Sequence, residues 1–316
     1  PTYRTITVTA EDNSSRFTLV DPGGPNDASL DGSELLLRVL EFPIWISKYD
    51  FAFYQASNLT EVPDRLPKQD IGLPAEKTVV TDIRGMFNEA SSFNHDISGW
   101  DVSQVTRMDF LFEDATSFNQ PIGSWDVSKV EDFSDMFQNT PFDQDISSWN
   151  TGAATDMNEM FRLNTAFNQD ISGWNVSSVT DFSEMFRSSN FNQDISDWNV
   201  SSATTLDEMF QNNTAFNQPI GSWNVSSVTD FSEMFEGATA FDQPLGEWDV
   251  SSATDMWDMF EQSSFNQDIS GWNVSSVDDF GDMFLQNTAF NQEIGTWNTS
   301  SAVYMSQMFE GATSFN

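Results

Sequence analysis

Cysteine is absent from this 316-residue sequence, which rules out disulfide staples and thiolate metal sites and leaves no evidence about redox compartment. Basic residues are scarce: 12 Lys and Arg stand against 49 Asp and Glu, for a net charge of −37. Residues 88–316 hold only Arg107, Lys129, Arg162 and Arg187. Phosphate backbones are bound through Lys and Arg, so this charge argues against nucleic acid as a partner and suits cations, basic proteins or a salty medium. No apolar run approaches the roughly 18–20 residues of a membrane-spanning helix, and the stretch Leu35 to Trp45 is shorter and carries Arg38 and Glu41. Glycine-rich phosphate loops and the metalloprotease helix motif are missing. The first residue is Pro1 rather than Met, as expected if a signal peptide or other processing segment has been removed, so the sequence is silent on export.

What is present is a repeat. Trp100, Trp125, Trp149, Trp174, Trp198, Trp223, Trp248, Trp272 and Trp297 follow one another at steps of 24 or 25 residues, and a Met-Phe or Leu-Phe pair ending at Phe87, Phe112, Phe137, Phe161, Phe186, Phe210, Phe235, Phe260, Phe284 and Phe309 keeps the same step. Such self-similarity marks a stacked array whose units share one core. With 38% hydrophobic residues and 29 Phe, there is ample material for that core, and the acidity does not imply disorder. The one-residue variation falls between the Met-Phe pair and the next Phe (Phe161 to Phe167 against Phe186 to Phe191), whereas Phe-to-Trp spacing is constant. A surface loop is expected there, because loops lose residues at little cost.

Within one copy, Val179, Phe182, Met185 and Phe186 fall on one face of a helix, with Ser177 or Ser178 as N-cap, while Ile171, Trp174 and Val176 belong to an extended segment. The fold class expected is therefore a repeat solenoid, leucine-rich-repeat-like, with a short parallel strand plus a short helix in each coil. If strands pair at about 4.8 Å per coil, nine steps make a body roughly 45 Å long. A small β-containing N-terminal domain is expected over residues 1–52: Thr5 to Thr9 alternates like a strand, with Arg16 to Val20 as its hairpin partner. Residues 53–87 read as a degenerate first coil with a Pro-rich insertion (Pro63 to Pro74), and 88–316 as regular repeats with no polar C-terminal cap.

The pattern FNQDIS-x-W-N/D-VSSVTD-F/M-xxMF resembles the BspA-like surface-protein repeat, a leucine-rich-repeat relative found in mycoplasmas and other microbes. It covers about three quarters of the chain. The resemblance implies an extracellular or cell-surface location and an interaction role, adhesion in some members, and it carries no catalytic residues.

Enzyme chemistry finds little support in the residues themselves. His95 is the sole histidine and stands where other copies carry Gln. The carboxylates repeat, and translated copies share an environment, whereas a general acid and its base need unlike ones. One carboxylate column does stand out: Asp135, Glu159, Glu184, Glu208, Glu233, Asp258 and Asp282 each precede the Met-Phe pair, on the expected helix face away from the core. Two readings stay open, a solvated face and a stripe that binds cations weakly; oxygen ligands suit Ca²⁺, although no dedicated calcium loop is present. No other cofactor is expected.

Asn175, Asn199, Asn224, Asn273 and Asn298 begin N-x-S sequons, as do Asn13, Asn58 and Asn212 counting N-x-S/T, and are glycosylation candidates. Asp101, Asp126 and Asp249 share the column after Trp, which points first to an Asx-turn. Asn94, Asn119, Asn168, Asn192, Asn217, Asn266 and Asn291 are expected to form an internal amide ladder, and the Trp column to be core rather than a sugar-stacking platform. The function expected is a non-catalytic surface protein making protein or glycan contacts. The alternative is a structural protomer that assembles head to tail, the strand region of one copy capping the last coil of the next.

Overall fold

A computed structural model describes residues 37–38, 48–66 and 79–316. The expected N-terminal strands at 5–9 and 16–20, the sequon at Asn13, and most of the Pro-rich insertion lie outside the described residues; so does the strand on which head-to-tail capping depends. The repeat forms a stack of coils. Single parallel bridges link Lys48 to Asp82, Asp82 to Arg107, and so on through Asp132, Asp156, Asp181, Thr205, Asp230, Asp255 and Asp279 to Tyr304. The ladder thus already includes residues near 48, upstream of the expected first coil.

The expectation of a leucine-rich-repeat-like coil with a strand and a helix fails. Among the described residues there is no helix, and the strands are β1 (Leu37–Arg38) and β2 (Leu59–Glu61), which pair in parallel with an irregularity between Leu37 and Arg38. The backbone of the supposed helix does something else. In the coil around Met160, the N–H groups of Met157, Glu159, Phe161 and Leu163 donate to the carbonyls of Asp181, Ser183, Met185 and Arg187 in the following coil, at 2.8–3.1 Å. The intervening Met160, Arg162 and Asn164 donate three residues back, to Met157, Glu159 and Phe161, at 3.0–3.3 Å. Alternate N–H groups therefore tie coils together while the others close tight turns, which accounts for the backbone donors of this segment. An α-helix would direct its N–H groups within the coil and leave this ladder unmade.

That alternation needs two left-handed residues per coil. They stand four apart: Asp135 and Asn139, Glu159 and Leu163, Glu184 and Ser188, Glu208 and Asn212, with φ between 50° and 58°. Helical periodicity survives because overlapping turns also bring i, i+3 and i+7 to one side.

The core lies between the turn ladder and the Trp segment. Phe161 stacks on Phe167 with centroids 4.0 Å apart and on Phe186 of the next coil at 5.8 Å, while Phe167 stacks on Phe191 at 6.2 Å. Two Phe columns thus interlock along the stack. Every Trp of the column from Trp100 to Trp272 is only 3–4% exposed, and the indole N–H of Trp174 donates to the carbonyl of Ile146 one coil upstream at 3.2 Å. The polar tip of a large buried aromatic is satisfied there. The indole N–H of Trp100 donates to the carbonyl of Pro63 at 2.9 Å.

The variable step falls at the surface, as expected, with Thr165, Ala166 and Asn190 exposed, but it is anchored from within. Where a coil is one residue short (Phe137 to Phe142, Phe186 to Phe191, Phe260 to Phe265), the coil after it carries Asn164, Asn213 or Asn287, each fully buried. Asn164 Nδ2 donates to the Phe142 carbonyl at 3.1 Å, and its Oδ1 accepts from the N–H groups of Ala166 and Phe167 at 3.0 Å. Asn213 and Asn287 repeat this with Phe191 and Phe265. After a full-length coil the same position is alanine where the coil itself is full length, as at Ala115 and Ala238, and Thr140, Ser189 or Ser263 where it is short. A buried amide thus ties each shortened segment to the coil after it.

Candidate functional site

The carboxylate column does not lie on a helix face. Asp135, Glu159, Glu184, Glu208, Glu233, Asp258 and Asp282 all occupy the first left-handed position of the turn segment, where φ near 55° costs a non-glycine residue about 1–2 kcal/mol. Neighbouring coils place Gly85, Phe110 and Gln307 in that position. The seven acids are buried or half-buried in the structure, not fully solvated.

Charge along the column is uneven. In its middle, Arg162 pairs with Glu159 at 2.5 Å and Glu184 at 3.1 Å, and Arg187 pairs with Glu184 at 2.8 Å and with Glu208. Towards either end no arginine reaches the acids. Gln138 Nε2 donates to Asp135 Oδ1 at 2.7 Å and to Glu159 Oε2 at 2.5 Å, Asn88 Nδ2 to Glu113 at 2.5 Å, and Gln211 Nε2 to both Glu233 and Glu236. Burial, reinforced by neighbouring carboxylates, pushes Asp135, Glu233 and Asp258 well above the usual carboxylate range. The same causes raise Glu208 to about 7 despite Arg187 beside it. Among the described residues no three Asp, Glu or His side chains are grouped so as to hold a metal ion. Along the column the acids are thus clamped by arginine in the middle and bridged by glutamine amides on either side.

Three other columns are built from side-chain-to-backbone turns. Asn175, Asn199, Asn224, Asn273 and Asn298 accept the N–H of the serine two residues on at 3.1–3.3 Å, in the Asx-turn that the Asn/Asp exchange implies. These sequon asparagines and Asn212 are exposed, whereas Asn58 is half-buried. The Asn ladder forms, but at the surface: Asn94 Oδ1 accepts from Asn119 N–H at 2.9 Å, Asn168 Oδ1 from Asn192 at 2.9 Å, and Asp143 and Asp242 take the same role. Only an acceptor is needed, so Asp substitutes freely. The bridge column repeats the Asx device, Asp156 Oδ1 accepting from Asn158 and Asp181 Oδ1 from Ser183. His95, with Nε2 3.5 Å from Asp64 Oδ1, sits beside the insertion at the upstream end of the stack.

One residue on the bridge side breaks its column. Asn158, Ser183, Asp207, Ser232, Gly281 and Ser306 share a position two residues after the bridge, and there the coil of Asp255 carries Trp257, 39% exposed. Its N–H donates to Asp255 Oδ1 at 2.9 Å. The indole lies towards the next coil: a Cβ on Gly281 would stand 3.0 Å from Trp257 Cδ1 and 3.1 Å from Asp279 Oδ1. Glycine at 281 therefore leaves room for the ring between the Asp255 and Asp279 turns. Trp257 is out of phase with the Trp column, so a search for the period misses it, and that phase error is itself the signal by which it could be found.

Four stretches of the chain, residues 52–162, 138–190, 155–264 and 248–316, match a family described as "Mycoplasma protein of unknown function, DUF285". Together they span more than half of the sequence, and the chain belongs to that family. No curated protein matches it. No helix among the described residues is long and apolar enough to cross a membrane.

Proposed function

We propose that this member of the Mycoplasma repeat family is a non-catalytic cell-surface or secreted protein that binds a glycan on the side wall of its coil stack, at Trp257. The observation that carries the reading is the exposed indole in a column of small and polar residues, with carboxylates at Asp255 and Asp279 on either side. An aromatic face packs against the C–H face of a sugar ring, and the carboxylates accept hydrogen bonds from its hydroxyls. The eight Trp of the repeat column from Trp100 to Trp272 cannot serve this way, since their indoles are core. The likeness to BspA-type surface repeats supports the location and the adhesive role. The absence of catalysis is supported by the sequence, whose single histidine stands at the insertion, away from the acid column.

The test is a glycan array probed with the wild-type protein and with Trp257→Ala, alongside surface labelling of intact cells. Trp257 is half exposed, so the variant should fold normally. Binding to a defined set of glycans that falls at least tenfold in the variant supports the reading. Wild-type binding retained in Trp257→Ala, or a partner that proves to be a protein contacting another face, overturns it.

A further inference from the structure

Two of the regular coils carry an arginine beside their column acid, and the others do not. Arg162 and Arg187 serve Glu159, Glu184 and Glu208. On one side of that block Asp135 faces Glu113, Glu159 and Arg162 and shares the Gln138 amide with Glu159. On the other side Glu233 faces Asp207, Glu208 and Glu236 and shares the Gln211 amide with Glu236. Asp258, 5% exposed, faces Glu236, Glu261 and Asp282, and its Oδ1 is buried with no hydrogen-bond partner. Asp282 Oδ1 is likewise buried and unpartnered. An orphaned, buried carboxylate oxygen aimed at other carboxylates calls for a positive counterpart.

A proton fits that role better than a divalent ion, because among the described residues no three acids converge closely enough to ligate one. The acids come in pairs, and two carboxyls in contact away from water hold a single proton between them.

We infer that Asp135 with Glu159, Glu233 with Glu236, and Asp258 with Glu261 each clasp one proton at neutral pH, so that the coil stack is a proton-loaded ladder whose C-terminal half loosens as the proton is withdrawn. In each clasp one carboxyl O–H donates to the neighbouring carboxylate. Raising the pH removes that proton to solvent and leaves two like charges in contact. The Arg162–Arg187 block keeps fixed positive charge beside its acids. Loosening therefore begins in the coils of Glu233, Asp258 and Asp282, and the ladder of N–H bonds carries it along the neighbouring coils.

The direction follows from linkage: the carboxyls are raised in the folded state, so their stabilisation is complete in acid and is lost as pH climbs through the raised values. Unfolding at neutral pH must release the clasped protons. Calorimetric unfolding at pH 7 in buffers of different ionisation enthalpy should therefore show release of roughly three protons, one per pair. The Asp135→Asn, Glu233→Gln, Asp258→Asn triple variant, which keeps shape and supplies an N–H donor, should release roughly three fewer protons than the wild type. Its melting temperature should change far less than that of the wild type between pH 5 and pH 9. No proton release by the wild type, or an unchanged pH slope in the variant, overturns the inference. Saturable recovery of wild-type stability at pH 9 by millimolar Ca²⁺ but not by Na⁺ of equal ionic strength also overturns it, in favour of a metal site.

Discussion

Asn164 Nδ2 donates to the backbone carbonyl of Phe142, one coil upstream, at 3.1 Å. The coil of Phe142 is one residue shorter than its successor, and the bond ties the shortened segment to the coil that follows it. Asn213 with Phe191 and Asn287 with Phe265 are the same solution to the same shortfall.

Replacing Asn213 by Ala should then strand the Phe191 carbonyl and the N–H groups of Ala215 and Phe216 in the interior. A loss of about 1–3 kcal/mol is expected for buried unsatisfied groups. Inserting one residue between Ser189 and Asn190 in the Asn213→Ala background should recover most of it, because a full-length coil tolerates Ala at that position. Denaturant melts of the two variants check this, and a double variant no better than Asn213→Ala would refute the compensation.

Trp174→Ala in the middle of the stack removes a large buried side chain whose indole N–H is satisfied by Ile146. The expected cost is about 3–5 kcal/mol, the range for truncating a core aromatic. A loss below about 1 kcal/mol in chemical denaturation would contradict the burial of this column.

Asn192 tests the outer ladder, where its Oδ1 accepts from Asn217 N–H at 3.0 Å and from Gln218 Nε2 at 2.8 Å. Asn192→Asp keeps the acceptor, as Asp143 and Asp242 do, and should leave stability nearly unchanged. Asn192→Ala should cost about 1 kcal/mol, the net worth of an ordinary hydrogen bond. Equal melting temperatures for the two variants would show that the ladder contributes nothing.

Leu163 holds φ at 57° with its side chain exposed, where equivalent coils place Gly237, Gly311, Asn139 or Asn212. Its N–H bond to Arg187 needs no side chain. Leu163→Gly should relieve left-handed strain worth about 1–2 kcal/mol, less the backbone entropy glycine loses, for a net gain of about 0.5 kcal/mol. A lower melting temperature in this variant would show that the leucine packs rather than strains.

Glu208, raised to about 7 by burial and by Glu184, should stabilise the fold in acid and lose that contribution as pH rises through about 7. Side-chain carboxyl chemical shifts should report a midpoint at about 7 for this residue. Glu208→Gln should flatten the part of the stability curve between about pH 6 and 8. A Glu208 midpoint in the ordinary carboxylate range would place the side chain in water.

The repeat, its period and its core are legible in the sequence alone. Columns of Trp and Phe at steps of 24 or 25 residues name the side chains that stack, and a large aromatic repeated in register in an aqueous protein has little alternative to mutual burial. The Asx-turns are legible too, because Asn and Asp exchange readily where a side-chain oxygen serves a local N–H. The secondary structure is not. Val179, Phe182, Met185 and Phe186 share a face both in a helix and in a run of overlapping turns, so periodicity identifies the buried side and is blind to the destination of each backbone N–H. That destination lies in the neighbouring coil for every second residue, and no single copy contains the information. The acid column is visible as a pattern but not as an environment: glycine normally announces a left-handed position, and here Asp and Glu fill it. Which side chains meet is thus written in the order of the residues. Whether backbone bonds run within a coil or between coils is settled only when the coils stack, because stacking supplies carbonyls that a lone coil lacks, and this choice places the carboxyls together and half out of water.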